Sequence, residues 1–93
     1  MTSNQKKRYS VFARLFEEFK VSDQRCWLEI DRNKNGIAIN FTHWHDSYDS
    51  NNKWIAIYEN HPESFERLKN HMVEVMRGKA LIKKGLYICT HHI

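Results

Sequence analysis

The chain has 93 residues, 41% hydrophobic and 28% charged, which describes one small domain with a single core. Fifteen Lys and Arg against eleven Asp and Glu give a formal charge of +4, a mild basic bias that permits an anionic partner without requiring one. Aromatics reach 13%, which argues against disorder, and the apolar runs fall far short of the roughly 20 residues of a membrane-spanning helix.

Met1 to Arg8 is polar and basic and lacks the apolar stretch of a secretory signal. Cys26 and Cys89 are too few for a disulfide scaffold, so free thiols and a cytoplasmic setting are expected. No repeat or linker divides the chain. It is expected to form one domain over residues 1–93, with 1–5 and 91–93 as frayed ends.

The first element is a helix from about Lys6 to Lys20. Tyr9, Phe12, Leu15, Phe16 and Phe19 recur at three- and four-residue steps and give it one apolar face. Val21-Ser22-Asp23-Gln24 ends the pattern.

A hairpin follows. Asn35-Gly36 is the pair favoured by a type I′ turn, where both central residues need positive φ. With that pair as the loop, Lys34 faces Ile37, Ile30 faces Phe41 and Leu28 faces His43. Leu28, Ile30, Ile39 and Phe41 then share one side, because opposed residues in an antiparallel pair lie on one face. A longer turn from Asn33 to Gly36 would change the pairing. A third strand spans Lys53 to Glu59, with Ile55 and Ile57 on the core face and Trp54 and Tyr58 on the other. Between strands two and three runs a polar loop, His45 to Asn52.

The second helix begins at Pro62, a favoured first helical position, with Glu63 near its positive end. Phe65, Leu68, Met72, Val75 and Met76 line one face, and Gly78 is the expected stop. The tail carries two apolar pieces, Ala80 to Ile82 and Leu86 to Cys89, the second read as a short strand. The economical arrangement is an α+β domain of two layers. An antiparallel sheet of three strands, or four with the tail, carries both amphipathic helices on its aliphatic face in the order α-β-β-β-α-(β).

Three groups of residues could carry function. His43-Trp44-His45 aims two imidazoles to one side of a strand, and the hairpin register sets Cys26 opposite His45. Cys26, His43 and His45 are thus the candidate zinc ligands, with His71 or Cys89-Thr90-His91 as a fourth. The plainer alternative is that the histidines face water and Cys26 is a small core residue, so no metal and no cofactor is expected. Glu29 with Asp31, and Asp46 with Asp49, could hold a divalent cation, although solvated acids near turns are commoner. No nucleophile elbow, C-x-x-C, H-E-x-x-H or glycine-rich phosphate loop is present, so no catalytic residue is assigned.

The second sheet face is the more informative. The register puts Trp27 opposite Trp44, Glu29 opposite Thr42 and Asp31 opposite Asn40, while strand three adds Trp54, Ala56 and Tyr58. With both helices elsewhere, this face presents aromatic rings among small polar residues. Such rings stack unpaired bases or anchor protein interfaces. Basic residues fall in small groups: Lys6-Lys7-Arg8, Arg67 with Lys69, and Arg77 and Lys79 with Lys83-Lys84.

The order helix, three strands, helix is similar to that of the double-stranded-RNA-binding domain. That family opens its second helix with a lysine cluster, whereas Pro62-Glu63-Ser64-Phe65-Glu66 is acidic here, and no residue role is carried over from it. The expectation is a non-catalytic regulatory binding module acting on nucleic acid or a nucleoprotein. Its contacts would be Trp27, Trp44, Trp54, Tyr58, Lys79, Lys83 and Lys84, with no membrane association. The alternatives are a protein-binding inhibitor or adaptor using the aromatic face, as a monomer or a homodimer, and a metal-dependent enzyme.

Overall fold

The computed structural model describes residues 2–34 and 36–83. The elements are α1 (Ser3–Val21), β1 (Cys26–Asn33), β2 (Gly36–Trp44), β3 (Asn52–Tyr58), a 3-10 turn (Pro62–Ser64) and α2 (Phe65–Met76). The fold is α+β in the order α-β-β-β-α, with one antiparallel sheet in the strand order β1-β2-β3.

Helix α1 starts three residues before the expected Lys6, because Thr2 and Gln5 form a capping box. Thr2 Oγ1 accepts from Gln5 N–H at 3.1 Å, and Gln5 Oε1 accepts from Thr2 N–H at 2.7 Å. At the other end of the chain, Gly78 has φ 74° and closes α2. Its N–H donates to Val75 O, and Lys79 N–H donates to Glu74 O, so two orphan carbonyls are satisfied. The helices are tied together where both end. Arg77 donates to both Glu18 carboxylate oxygens at 3.0 and 2.7 Å, and Ser22 Oγ donates to Met76 O at 2.6 Å.

The hairpin register differs from the sequence expectation. Asn33 pairs with Gly36, Ile30 with Ile39, Leu28 with Phe41 and Cys26 with His43. Gly36 is therefore the first residue of β2, not half of the loop; it keeps a positive φ of 107°. Asn35 lies outside the described residues. The physical reason for the shift is side-chain matching: it opposes Leu28 to Phe41 and Ile30 to Ile39, where the expected register opposed Leu28 to His43. The displacement is an even one, so each residue keeps its face.

The core lies between the sheet and the helices. Val11 and Leu15 of α1, Ile39 and Phe41 of β2, Ile55 and Ile57 of β3, and Phe65, Leu68, Met72, Val75 and Met76 of α2 are buried together. Coverage is uneven. β2 and β3 are roofed by the helices, whereas β1 is mostly exposed. Ile30, expected in the core next to Phe41, is 49% exposed, and Phe16 of α1 is 47% exposed. Both sit at the margin where the helical layer ends. Among the described residues no helix is long and apolar enough to cross a membrane.

Candidate functional site

Among the described residues no helix packs on the second sheet face, and its layout follows from the register. Thr42 is the Cα partner of both Trp27 on β1 and Trp54 on β3, so the two tryptophans flank a threonine in one row across the sheet. They are separated by two strand spacings, roughly 10 Å. Trp27 is 55% exposed and Trp54 is 51% exposed. The expected pairing of Trp27 with Trp44 does not occur, because the register moves Trp44 opposite Arg25. There the Arg25 guanidinium lies over the indole, 5.5 Å from its centre, and Trp44 is half-buried. Tyr58 is also half-buried, with its ring edge-on to His61 at 6.4 Å. The next row holds Glu29, Asn40 and Ala56, and the one beyond it Asp31, Ala38 and Tyr58. Ala38 and Ala56 are buried between their larger neighbours in these rows.

Of the basic residues expected to share this surface, Lys79 and Lys83 are placed elsewhere. Lys79 follows the end of α2, beside Gln24, His43 and His45, at the end of the sheet where β2 stops. Lys83 N–H donates to His71 Nε2 of α2, which places it with the helical layer. Lys84 lies outside the described residues. Other cations are held by local carboxylates: Arg8 by Glu59 at 2.5 Å, Lys69 by Glu66 at 2.9 Å and Arg77 by Glu18. The described strand positions on the aromatic face carry the carboxylates of Glu29 and Asp31 and no cation; Arg25 stands just before β1, opposite Trp44.

The histidines are arranged differently from the ligand set considered for zinc. Cys26 is opposite His43, not His45. His43 is buried, and both its ring nitrogens are engaged: Nδ1 with the Tyr48 hydroxyl at 2.8 Å and Nε2 with Gln24 Oε1 at 3.0 Å. Burial, and secondarily the neighbouring His45, hold its pKa below the ordinary value. His45 is exposed, and its Nδ1 accepts from Ser47 N–H at 3.0 Å. Burial raises the Cys26 thiol pKa, against a hydrogen bond with Ser22 that lowers it, so the residue is kept as a thiol. Among the described residues, no group of three His, Cys, Asp or Glu is placed to hold a metal ion. Cys89 and His91 lie outside them.

The burial of Tyr48, and of His71 named above only as a possible fourth zinc ligand, was not expected from the sequence. Tyr48, in the segment taken as a polar loop, is folded into the core by a tight turn in which His45 N–H donates to Asn51 O and Asn51 N–H to Tyr48 O. Its hydroxyl accepts from Ile82 N–H at 2.7 Å. His71 is buried on α2, where burial and then Lys83 lower its pKa, against Glu74, which raises it. A lone aromatic among Asp and Ser was the available signal for the first. For the second the signal was spacing: His71 falls three residues after Leu68 and four before Val75, within the apolar helical stripe.

No protein-family model matches this chain, and no curated protein or solved structure matches it either.

Proposed function

We propose that this chain is a non-catalytic binding module that engages a protein through its open sheet face. The observation that carries the reading is the row Trp27–Thr42–Trp54, whose two indoles are about half exposed on a face with no helix over it. Tryptophans of this kind are the usual anchors of protein interfaces, and their burial by a partner removes large apolar area at small entropic cost. Glu29 and Asp31 beside them favour a partner that brings Arg or Lys to the rim, where a cation can face a carboxylate or an indole ring. Thr42 and Asn40 supply hydrogen-bonding groups between the anchors. A regulatory role in the cytoplasm, without cofactor or metal, is part of the same proposal.

Nucleic-acid binding is the second reading, favoured by the same two exposed rings, which could stack unpaired bases. It is the weaker one because phosphates follow bases at fixed distance, and the carboxylates occupy the positions where cations would be needed. Titration with fluorescent single- and double-stranded oligonucleotides, from low to physiological salt, separates the two. The proposal expects no binding beyond weak, salt-sensitive association. Tight binding abolished by Trp27→Ala would replace it with the second reading.

A further inference from the structure

β1 is an edge of the sheet, and among the described residues nothing pairs with its outer side. Arg25 O accepts from Trp44 N–H at 3.0 Å, which fixes the phase of the ladder. Arg25, Trp27, Glu29 and Asp31 direct their backbone polar groups toward β2, and Cys26, Leu28, Ile30 and Arg32 turn theirs outward. The side chains of this outward set lie on the helix face of the sheet, where coverage fails: Leu28 is half-buried and Ile30 half-exposed. Beside them, an apolar groove of about 270 Å³ runs between α1 and the hairpin, lined by Tyr9, Phe12, Ile30, Ile37 and Ile39. Tyr9 and Phe16 on α1 are exposed. The core thus extends to the β1 edge and ends there without cover.

We propose that this edge pairs with a second copy of the chain, β1 antiparallel to β1 about a twofold axis through Leu28, giving a continuous six-stranded sheet. This goes beyond the reading of the aromatic face and does not depend on it. A twofold axis that keeps both helical layers on one side must pass through a β1 residue, because opposed residues share a face. Four such registers use the strand, and its charges separate them. Centring on Ile30 opposes Glu29 to Asp31 twice, and centring on Glu29 opposes that carboxylate to its own copy. Centring on Trp27 opposes Arg25 to Glu29 twice, but it also opposes Asp31 to Asp23 twice and Ile30 to Gln24 twice. Centring on Leu28 opposes Arg25 to Asp31 twice, Cys26 to Ile30 twice, Leu28 to itself and Trp27 to Glu29. It alone joins opposite charges on one face and apolar groups on the other with no like charges directly opposed; Glu29 lies diagonal to its own copy and to Arg25. The charges of β1 therefore act as a register code on an edge that is otherwise open to pairing.

The chain's own tail is the competing occupant. The described chain ends at Lys83, whose N–H donates to His71 Nε2 on α2, and α2 packs against β3, the strand at the opposite edge of the sheet from β1.

Sedimentation equilibrium of the full chain, from micromolar to millimolar concentration, tests the proposal. The wild type is expected to dimerise. Arg25→Asp and Asp31→Arg should each weaken the dimer by about tenfold or more, since the symmetry doubles every cross-strand effect. The double reversal should recover most of the loss. Ile30→Lys should abolish the dimer and leave a folded monomer by circular dichroism, because Ile30 is already half-exposed in the single copy. A wild type that stays monomeric overturns the proposal, and protection of the Leu28 and Ile30 amides from exchange in that monomer would assign the edge to residues 84–93. A dimer indifferent to the reversals, or not recovered by the double variant, overturns it as well.

Discussion

The Tyr48 hydroxyl lies 2.8 Å from His43 Nδ1, and Gln24 Oε1 lies 3.0 Å from Nε2. The amide oxygen can only accept, so the proton of neutral His43 sits on Nε2 and Nδ1 accepts from the Tyr48 hydroxyl, whose oxygen in turn accepts from Ile82 N–H. One relay joins the end of β2, the turn after it, the segment after α2 and the approach to β1. Tyr48→Phe removes the acceptor of a buried N–H and the donor to Nδ1 together. It should cost about 1–3 kcal/mol in urea unfolding, well above the effect of losing one exposed hydroxyl. A change near zero would show that water replaces the hydroxyl.

The same burial makes stability depend on pH. His43 and His71 both have pKa values lowered in the fold, chiefly by burial. Below the unfolded histidine value of about 6.5, the unfolded chain binds more protons than the native one. The stabilisation is therefore complete above that value and is lost as pH falls from it through the lowered native pKa values. Melting temperature should be flat from about pH 8 to 7 and fall toward pH 5. His71→Gln, which keeps an acceptor for Lys83 N–H but does not titrate, should remove part of the slope. An unchanged slope would assign the effect to other groups.

Two phenylalanines that look equivalent in the sequence should differ sharply. Phe65 is buried in the core, and its replacement by Ala should cost roughly 3–5 kcal/mol. Phe16 is half-exposed, stacked on Phe12 at 6.3 Å with Lys20 over its ring, and Phe16→Ala should cost about 1 kcal/mol or less. Urea midpoints with unchanged slopes would measure both. Equal costs would mean that the groove beside α1 is filled in solution.

Gly36 should not tolerate a side chain. Its φ of 107° lies in a region that L-residues rarely adopt, and an added Cβ would collide with the Glu59 carboxylate. That carboxylate accepts from Ile37 N–H at 2.7 Å and pairs with Arg8. Gly36→Ala should therefore destabilise by more than about 1 kcal/mol, and Glu59→Ala alone should reproduce part of the loss. Thermal melts of the two variants and their combination would show whether they share a mechanism.

Most of the architecture was written in local patterns. Alternation set the faces of all three strands, and the helical stripes set the core positions of Leu15, Phe65 and Met72. Register was not legible from Asn35-Gly36 alone, because a turn pair constrains φ but does not decide between loops that differ by one residue on each strand. The exposure of Ile30 and Phe16 was not legible either. Periodicity tells which face a residue takes, not how far the opposite layer extends over it. On the candidate site, Trp27 and Trp54 could be placed from alternation, while the separation of Lys79 and Lys83 from them depends on the path after Gly78. His43 could have been read as buried, since it continues the alternation of Ile39 and Phe41.

The most direct measurement of the central claim is quantitative capture of partners by the immobilised chain, after nuclease treatment, at low and physiological salt. It compares the wild type with Trp27→Ala, Trp54→Ala and a Lys79→Ala/Lys83→Ala pair. Both tryptophans are about half exposed, so their replacement should leave the melting temperature close to wild type. The account predicts a protein retained at physiological salt and lost, by about 2 kcal/mol or more in affinity, with either tryptophan variant but not with the lysine pair. A partner that persists when both tryptophans are replaced in a folded chain would contradict it, as would nucleic acid, recovered without nuclease, whose binding the lysine pair abolishes.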